Sequence, residues 1–440
     1  MFGRSPHPFD RLMKNTPIHR QPVDRLTWLD GCVIGLLFST ALAGYGPLAL
    51  RLATGSYFEY YNLAFDFDAS RVFSLLTASQ PDPIGFKHPL MLLFRPFGLA
   101  LTTLGVPDKA AAGLVMAGTG AATLSLVYLF LRAALIARPE AISLSILFAV
   151  TGTQMMTSMI TETYGFAGLS LIFVWLVAQL RLSSPTRYEK LRYVAAIMAA
   201  GVTITNAAQP VIAEILVMWR RWGARAAVPR VIRFAITFAL LFAAVALLLW
   251  FPEIRDALGD PLASLKAVWW MQTKGPTTGL AKVLQTFLGF SFVSPEYTVV
   301  PLPESTRMID FRDWLFPSYG GMFVAFWLVF LIVGTIAGIA DAVYRPIAIA
   351  MLAALLWNVV FHMSFQYRGS LYIYAAHTHF LTFGLACGLA RHLNNKLTRT
   401  TYVSAVLAMA IAIASVNIPL AIDFASRFDV PDTQCPAPCP

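Results

Sequence analysis

The chain has 440 residues, of which 57% are apolar and 13% are charged, and it carries a net charge of +10. Soluble domains have about twice that charged fraction, so the composition and a mean hydropathy of +0.64 exclude a soluble globular protein. The basic residues are spread over many loops rather than gathered on one face with aromatic residues between them, which excludes a nucleic-acid partner.

Apolar segments long enough to span a bilayer recur along the whole chain. A spanning helix needs about 20 mostly apolar residues, and the sequence predicts about eleven. They lie at 30–50, 110–131, 141–161, 163–180, 193–206, 207–219, 234–251, 319–340, 346–365, 371–390 and 401–421. The fifth and sixth are short, and TNAAQP at 205–210 separates them, so they form either a tight hairpin or one kinked helix. The expected fold class is an all-α membrane protein, a polytopic helix bundle.

The distribution of Lys and Arg predicts how the chain is oriented. Short cytoplasmic loops are enriched in these residues, and most of the 33 Lys and Arg fall in the segments that are cytoplasmic when the N-terminus is inside. This predicts a cytoplasmic segment 1–29, a transmembrane domain 30–421 with long outer loops at 51–107 and 252–318, and an outer tail 422–440. Cys435 and Cys439 of that tail form either a local disulfide or two free thiols. The Ala-rich composition and the absence of a cleavable signal favour a bacterial inner membrane.

The first long loop carries the most specific pattern. Apolar residues on one side of a helix from Asp68 to Leu76, and a second apolar segment at 89–104, predict two helices that lie in the membrane interface. Asp66 and Asp68 precede the first of these helices. Each is either a functional carboxylate or a helix N-cap, because Asp is preferred at that position.

This arrangement resembles the GT-C glycosyltransferases, which include the protein O-mannosyltransferases and the aminoarabinose lipid A transferases. In that family an Asp-Glu-x-Arg-Tyr segment is followed by a Lys-Pro-Pro-Leu or His-Pro-Pro-Leu step. The corresponding residues here are 68–72, which read DASRV, and 87–90, which read KHPL. Ala69 replaces the second acid, Val72 replaces the aromatic residue, and only one proline follows His88.

The resemblance implies transfer of a sugar from a polyprenyl-phosphate donor to an acceptor hydroxyl of a glycan, lipid or protein on the outer face. The acceptor needs a general base, for which Asp68 is the first candidate and Asp66 the second. Candidates for binding the donor phosphate or the substrate are cationic or polar residues predicted at the outer face. They are Arg71, Lys87, His88, Glu162, Arg368 and His377.

Several of these residues also have purely structural explanations. His362, His377 and His379 lie in or beside predicted spans, where a neutral imidazole can simply join two helices. Glu162 could orient Arg71 or a divalent metal ion, or could stabilise a helix N-terminus. No cofactor is implied with certainty, and no spacing of His and Glu predicts a particular metal site.

Other classes of membrane protein remain open. A transporter or flippase is also polytopic, although such proteins usually have related halves and polar broken helices, and no internal repeat is evident. A membrane acyltransferase could use His377 but leaves the first loop unexplained. A GT-C-like scaffold that has lost its chemistry is the third alternative. The sequence does not identify the sugar, the acceptor, the donor lipid or the oligomeric state.

Overall fold

A computed structural model describes residues 26–55, 65, 67, 69–78, 88, 90–184, 187–249, 279–301, 307–311, 316, 319–364 and 371–426, with isolated positions between 251 and 262. The first half contains α1 (Trp28–Thr54), α2 (Ala69–Thr77), α3 (Arg95–Thr103), α4 (Asp108–Ala133), α5 (Arg138–Ala149), α6 (Gly152–Met159), α7 (Thr163–Ser183), α8 (Leu191–Val202), α9 (Ala208–Trp222) and α10 (Ala224–Leu249). The second half contains α11 (Leu280–Leu284), β1 (Tyr297–Pro301), β2 (Arg307–Phe311), α12 (Gly320–Ala340), α13 (Arg345–Ser364), α14 (His379–Ala386) and α15 (Lys396–Ser426).

The helical, multi-pass membrane fold is confirmed at a coarse level. Within the described residues, seven helices are long and apolar enough to cross a membrane, and an eighth crossing results if the bent pair α5 and α6 is one span. Each predicted span coincides with helical structure, but α8 and α9 are short, and residues 372–392 are a 3₁₀ turn, α14 and a second 3₁₀ turn in succession. The count of eleven crossings is therefore not confirmed.

The fifth and sixth segments form a hairpin rather than one kinked helix. A 3₁₀ turn, Ile204–Ala207, joins α8 to α9. Arg192 at the beginning of α8 binds Glu214 near the middle of α9. Arg192 also lines one pocket with Trp222 at the end of α9, so the two helices run in opposite directions. The polar TNAAQP segment therefore reverses the chain.

Ion pairs connect the ends of several helices at one end of the bundle. Asp30, at the start of α1, binds Arg132 near the end of α4 and Arg138 at the start of α5, with N–O distances of 3.0 and 3.1 Å. Glu140 of α5 binds Arg399 in the first turn of α15. This end of the bundle, marked by these three arginines, is called the basic face below. It comprises loops that the sequence analysis assigns to the cytoplasm.

Two further contacts extend the basic face to other helices. Asp341, between α12 and α13, accepts a hydrogen bond from Arg391 at 2.9 Å, and Arg391 also donates to the carbonyl oxygen of Ala134. Gln179, near the end of α7, donates to the Ala133 carbonyl oxygen at 3.3 Å. The end of α7 and the connection between α12 and α13 therefore also lie at the basic face.

The third predicted span is bent by 63° where α5 gives way to α6, a geometry that a broken span and a re-entrant loop share. A break inside a membrane leaves backbone groups that need partners. Tyr45 donates to the Ala149 carbonyl oxygen at 2.7 Å, and Asn417 donates to the Val150 carbonyl oxygen at 2.8 Å. On the other side of the break, the N–H groups of Gly152 and Thr153 donate to carbonyl oxygens of residues 292 and 291 at 3.0 Å. Hydrogen bonds from other segments of the chain therefore stabilise the break.

The two predicted helices of the first loop are present as α2 and α3. The apolar side of α2, with Val72, Leu75 and Leu76, is buried in the core of the bundle. At Gly98, α3 approaches α2 so closely that an added Cβ would lie 2.2 Å from the Leu76 carbonyl oxygen. Packing against the spans therefore positions these helices.

A short β-hairpin accompanies the helices of the all-α bundle. Strands β1 and β2 pair antiparallel, with Tyr297 opposite Phe311 and Pro301 opposite Arg307, inside the long loop predicted at 252–318. Tyr297 donates hydrogen bonds to Asp423 and, at 3.3 Å, to the Leu420 carbonyl oxygen of α15. These contacts attach the hairpin to the end of α15 that lies away from the basic face.

Candidate functional site

Two histidines and two tyrosines converge at the end of the bundle opposite the basic face. His362 stacks on Tyr374 with ring centroids 4.3 Å apart, and the centroid of His377 lies 5.4 Å from that of Tyr164 and 6.1 Å from that of His362. Tyr164 and Tyr374 meet edge to face at 5.6 Å. His362 and His377 are buried, whereas the tyrosines are partly exposed. These four residues are called the His–Tyr cluster below.

His377 occupies the last position of the 3₁₀ turn Tyr372–His377, which precedes α14. Its side chain is 3% exposed, and its Nε2 atom has no hydrogen-bond partner among the described residues. A buried polar atom without a partner costs free energy. This ring nitrogen is therefore the atom of the cluster best placed to hydrogen-bond a ligand.

A buried glutamine holds the turn that carries His377. Gln209, in the first turn of α9, donates to the main-chain carbonyl oxygen of His377 at 2.8 Å. Its side-chain oxygen accepts a hydrogen bond from the indole N–H of Trp175 at 2.9 Å. Both ends of the amide are thus used, and the start of α9 fixes the position of His377.

Two phenylalanines attach the first loop to this end of the bundle. Phe65 stacks on Phe424 with centroids 5.7 Å apart and lies 5.5 Å from Tyr372, and Phe67 meets Tyr164 at 6.5 Å. Both phenylalanine side chains are buried. Phe67 therefore touches a member of the His–Tyr cluster.

Phe65 adopts a φ of +50°, which a bulky residue rarely tolerates. Such conformations cost about 1–3 kcal/mol and persist where surrounding contacts enforce them, often at functional sites. The buried ring contacts of Phe65 supply that constraint. The backbone conformation just before Asp66 is therefore specified by the fold.

Four of the predicted site residues, Asp66, Asp68, Lys87 and Arg368, lie outside the described residues. In sequence, Asp66 stands between Phe65 and Phe67, and Asp68 immediately precedes α2. Arg71 is described in the first turn of α2 and is partly exposed. The roles of these residues stay predictions.

His88 is attached to the end of α8. Its Nδ1 atom donates to the Val202 carbonyl oxygen at 2.5 Å, because a carbonyl can only accept. The neighbouring Leu90 N–H donates to the Gly201 carbonyl oxygen at 2.9 Å. His88 and Leu90 thus contact the chain just before the turn that leads to Gln209.

Glu162 is the N-cap of α7. Its Oε1 atom accepts hydrogen bonds from the Thr163 backbone N–H at 2.6 Å and from the Thr163 hydroxyl at 2.8 Å, and its side chain is buried. The structural explanation offered for this residue is therefore realised, since an N-cap side chain satisfies a free helical N–H. The same cap orients Tyr164, two residues later, toward His377.

The described part of the chain contains no group of three or more His, Cys, Asp or Glu side chains placed to hold a metal ion. His379, the third histidine considered, lies deeper, where its Nε2 atom is 2.8 Å from the Thr151 hydroxyl at the break of the third span. It therefore belongs to the break and not to the His–Tyr cluster.

Sequence reasoning missed Tyr164, Tyr374, Gln209 and the two phenylalanines. Gln209 could have been predicted, because a glutamine inside an apolar stretch costs free energy unless it binds a partner or has a function. Tyrosines at the ends of spans are common, so nothing in the sequence indicated that Tyr164 and Tyr374 would meet. The phenylalanines could not be separated by pattern from ordinary core residues.

Comparison with known proteins adds no family or function. No protein-family model matches the chain, and no curated protein matches it significantly. The chemistry of the site must therefore be argued from its residues. It offers an imidazole nitrogen and two phenol groups beside a loop that carries two carboxylates in sequence.

Proposed function

We propose that this chain is a membrane glycosyltransferase that passes a sugar from a polyprenyl-phosphate-linked donor to an acceptor hydroxyl. The observation that carries the proposal is the contact of Phe67 with Tyr164. Phe67 stands between Asp66 and Asp68 in sequence, and through this contact it attaches the first loop to the His–Tyr cluster. A general base and a set of neutral or cationic hydrogen-bond donors are the two requirements of this transfer.

In the proposed reaction, Asp68 accepts the proton of the acceptor hydroxyl as its oxygen attacks the anomeric carbon. Asp66 is the second candidate for this role. The bond between the anomeric carbon and the phosphate oxygen breaks, and the lipid phosphate leaves as an anion, which needs hydrogen-bond donors but no strong acid. The proposed donors are His377, Arg71 and His88 among the described residues, together with Lys87 and Arg368. Glu162 acts by capping α7 and orienting Tyr164.

The proposed setting is the outer face of a bacterial inner membrane, with the basic face in the cytoplasm. This follows from the enrichment of Lys and Arg in short cytoplasmic loops. Glycan, lipid and protein hydroxyls all remain candidate acceptors. The resemblance to the GT-C family supports the proposal, although Ala69 and Val72 depart from the family pattern.

The test compares Asp68→Asn, Asp66→Asn and the control Asp108→Asn in membranes with equal amounts of protein. The readout is the release of polyprenyl phosphate from a panel of polyprenyl-phosphate sugars. We expect Asp68→Asn to lose about 10²–10⁴ in rate, the usual cost of losing a general base, and Asp108→Asn to lose nothing. An amide caps a helix as well as a carboxylate does, so a capping role predicts full activity. Full activity in both the Asp68 and Asp66 variants contradicts the proposal.

A lipid transporter is the second candidate, because broken helices form the binding sites of many transporters. The break between α5 and α6, with His379 beside Thr151, is a feature of that kind. Its backbone groups are already paired, as described above, which favours a structural role. Vesicles that flip a fluorescent polyprenyl phosphate in proportion to the protein they contain, without releasing sugar, would support the transporter instead.

A further inference from the structure

A pocket of about 450 Å³ lies between α8, α9 and α10 at the basic face. Its lining includes Arg192, Arg221, Trp222, Arg230 and Arg233, together with the carboxylate Glu189. It is far from the His–Tyr cluster, because the beginnings of α8 and α10 and the end of α9 form it. The proposed glycosyltransferase chemistry assigns it no role.

The arginines of the pocket outnumber the carboxylates available to them. Glu214 is buried and is bound by Arg181 and Arg192, and Glu189 is bound by the same two arginines. In the part of the chain that the structure describes, Arg221, Arg230 and Arg233 have no carboxylate partner. Three guanidinium groups around one pocket repel each other, and an anion within it would relieve that repulsion.

Aromatic rings hold two of these guanidinium groups in place. The ring of Trp222 faces Arg230 at 4.2 Å and Arg221 at 5.0 Å, measured from Cζ to the ring centroid. Arg230 also donates from one guanidinium nitrogen to the Ala226 carbonyl oxygen of its own helix at 2.6 Å. Stacking leaves the other in-plane N–H groups able to bind phosphate oxygens. Stacking also reduces the entropy lost when a ligand orders the side chains.

The surface beside the pocket is suited to acyl chains. Helix α10 is the least buried of the candidate spans, at 17%, and it exposes Ile232, Ile236 and Leu240. These residues repeat every four positions, so they form a ridge about 12 Å long that leads from the level of Arg233 into the hydrocarbon layer. A ligand with a phosphate and apolar chains matches both features, whereas a free anion matches only the first.

We infer that the pocket binds the headgroup of an anionic phospholipid, with the phosphate between Arg221, Arg230 and Arg233 and an acyl chain along the ridge of α10. Basic pockets at the ends of spanning helices are typical headgroup sites. The inference does not depend on the glycosyltransferase proposal. It concerns the opposite end of the bundle and predicts binding in the absence of any sugar donor.

The test uses the purified full chain in a neutral detergent, titrated with phosphatidylglycerol or with phosphatidylcholine of the same acyl chains. Bound lipid is counted by native mass spectrometry, and the thermal midpoint is recorded at each concentration. We expect saturable binding of phosphatidylglycerol alone. The combined Arg221→Gln, Arg230→Gln and Arg233→Gln variant should bind it about 100-fold more weakly, at about a factor of five for each arginine.

A matched control removes the same charge from elsewhere on the basic face, by Lys190→Gln, Arg225→Gln and Lys396→Gln. These residues are exposed and do not line the pocket, so binding should change by less than about threefold. If the triple arginine variant fails to fold, Arg230→Lys and Trp222→Leu replace it, and each should weaken binding because the stacked planar fork is lost. Equal loss in the control, equal binding of phosphatidylcholine, or full displacement of the lipid by millimolar inorganic phosphate would each overturn the inference.

Discussion

The side chain of Gln209 donates to the main-chain carbonyl oxygen of His377 at 2.8 Å, and the same side chain accepts from the Trp175 N–H at 2.9 Å. One buried amide thus joins α7, the start of α9 and the turn before α14. Gln209→Leu leaves both partners unpaired, at a cost of about 1–3 kcal/mol for each. We expect a lower thermal midpoint and, under the proposed function, a loss of sugar transfer larger than the loss of folded protein.

The matched control for that substitution is Gln179→Leu. Gln179 is also a buried glutamine of this bundle, but it binds the Ala133 carbonyl oxygen at the basic face. Its replacement should lower the thermal midpoint and leave the activity of each folded molecule unchanged. Identical ratios of activity to folded protein in the two variants would remove Gln209 from the site.

A second prediction concerns Arg368, a proposed ligand of the donor phosphate. Arg368→Ala should weaken the use of limiting donor more than the use of limiting acceptor, because a lost phosphate contact affects the lipid first. Arg368→Lys should recover only part of the donor use, since lysine lacks the planar guanidinium that binds two phosphate oxygens at once. Donor titrations that coincide for wild type and Arg368→Ala would exclude the contact. Arg225→Ala, on the basic face, serves as the control.

The helix positions could be predicted from sequence because bilayer thickness imposes a minimum length on every apolar run. The boundaries of α4 and α7 at Asp108–Ala133 and Thr163–Ser183 extend the predicted spans 110–131 and 163–180 by only a few residues. The two helices of the first loop were equally accessible, since α2 has a clear apolar side. The burial of α2 against the bundle could not be predicted, because an apolar side facing lipid and one facing protein have the same pattern.

The breaks were harder to predict, because their causes lie elsewhere in the chain. Residues 141–161 are apolar enough to form one span, and contacts with Tyr45 and Asn417 from two other helices compensate the interruption at 150–151. The 3₁₀ turn before His377 likewise depends on Gln209, 168 residues away in sequence. Tertiary partners of this kind leave no local signal.

A third prediction tests the break of the third span. Asn417 donates to the carbonyl oxygens of Val150 and Phe292, at 2.8 and 2.9 Å, and accepts from the Ser294 N–H at 2.9 Å. Asn417→Leu leaves these groups unpaired inside the bundle, so it should be among the most destabilising polar replacements. Asn358→Leu is the control, because among the described residues Asn358 donates only to the Ala354 carbonyl oxygen of its own helix. Similar thermal midpoints for the two variants would show that the break does not need Asn417.

A fourth prediction concerns pH. Burial alone would raise the pKa of the Asp341 carboxyl, but hydrogen bonds from Arg391 and from the backbone N–H groups of Tyr344 and Val343 lower it below its usual value. A lowered folded-state pKa contributes stability above the unfolded pKa of about 3.9, and that stability is lost as the pH falls through the folded value. Asp341→Asn should therefore have a lower thermal midpoint than wild type at pH 7. The difference should shrink below about pH 4, and a constant difference would contradict the assignment.

The last prediction distinguishes the roles of the buried residues His377 and His379. Each has a ring nitrogen without a hydrogen-bond partner among the described residues, Nε2 in His377 and Nδ1 in His379. Only His377 belongs to the His–Tyr cluster, whereas His379 binds the Thr151 hydroxyl at the break. Phenylalanine supplies a planar ring only slightly larger than imidazole and has no nitrogens.

We expect His377→Phe to fold and to lose about 10- to 100-fold in donor use, the effect of one hydrogen bond to a charged phosphate. His377→Gln should recover part of the activity, since its amide N–H can approach the position of Nε2. His379→Phe should instead lower the thermal midpoint, because the Thr151 hydroxyl loses its partner, while each folded molecule stays active. Activity of His377→Phe equal to that of wild type at limiting donor would assign His377 to helix packing alone, and would leave the phosphate to Arg71, Lys87, His88 and Arg368.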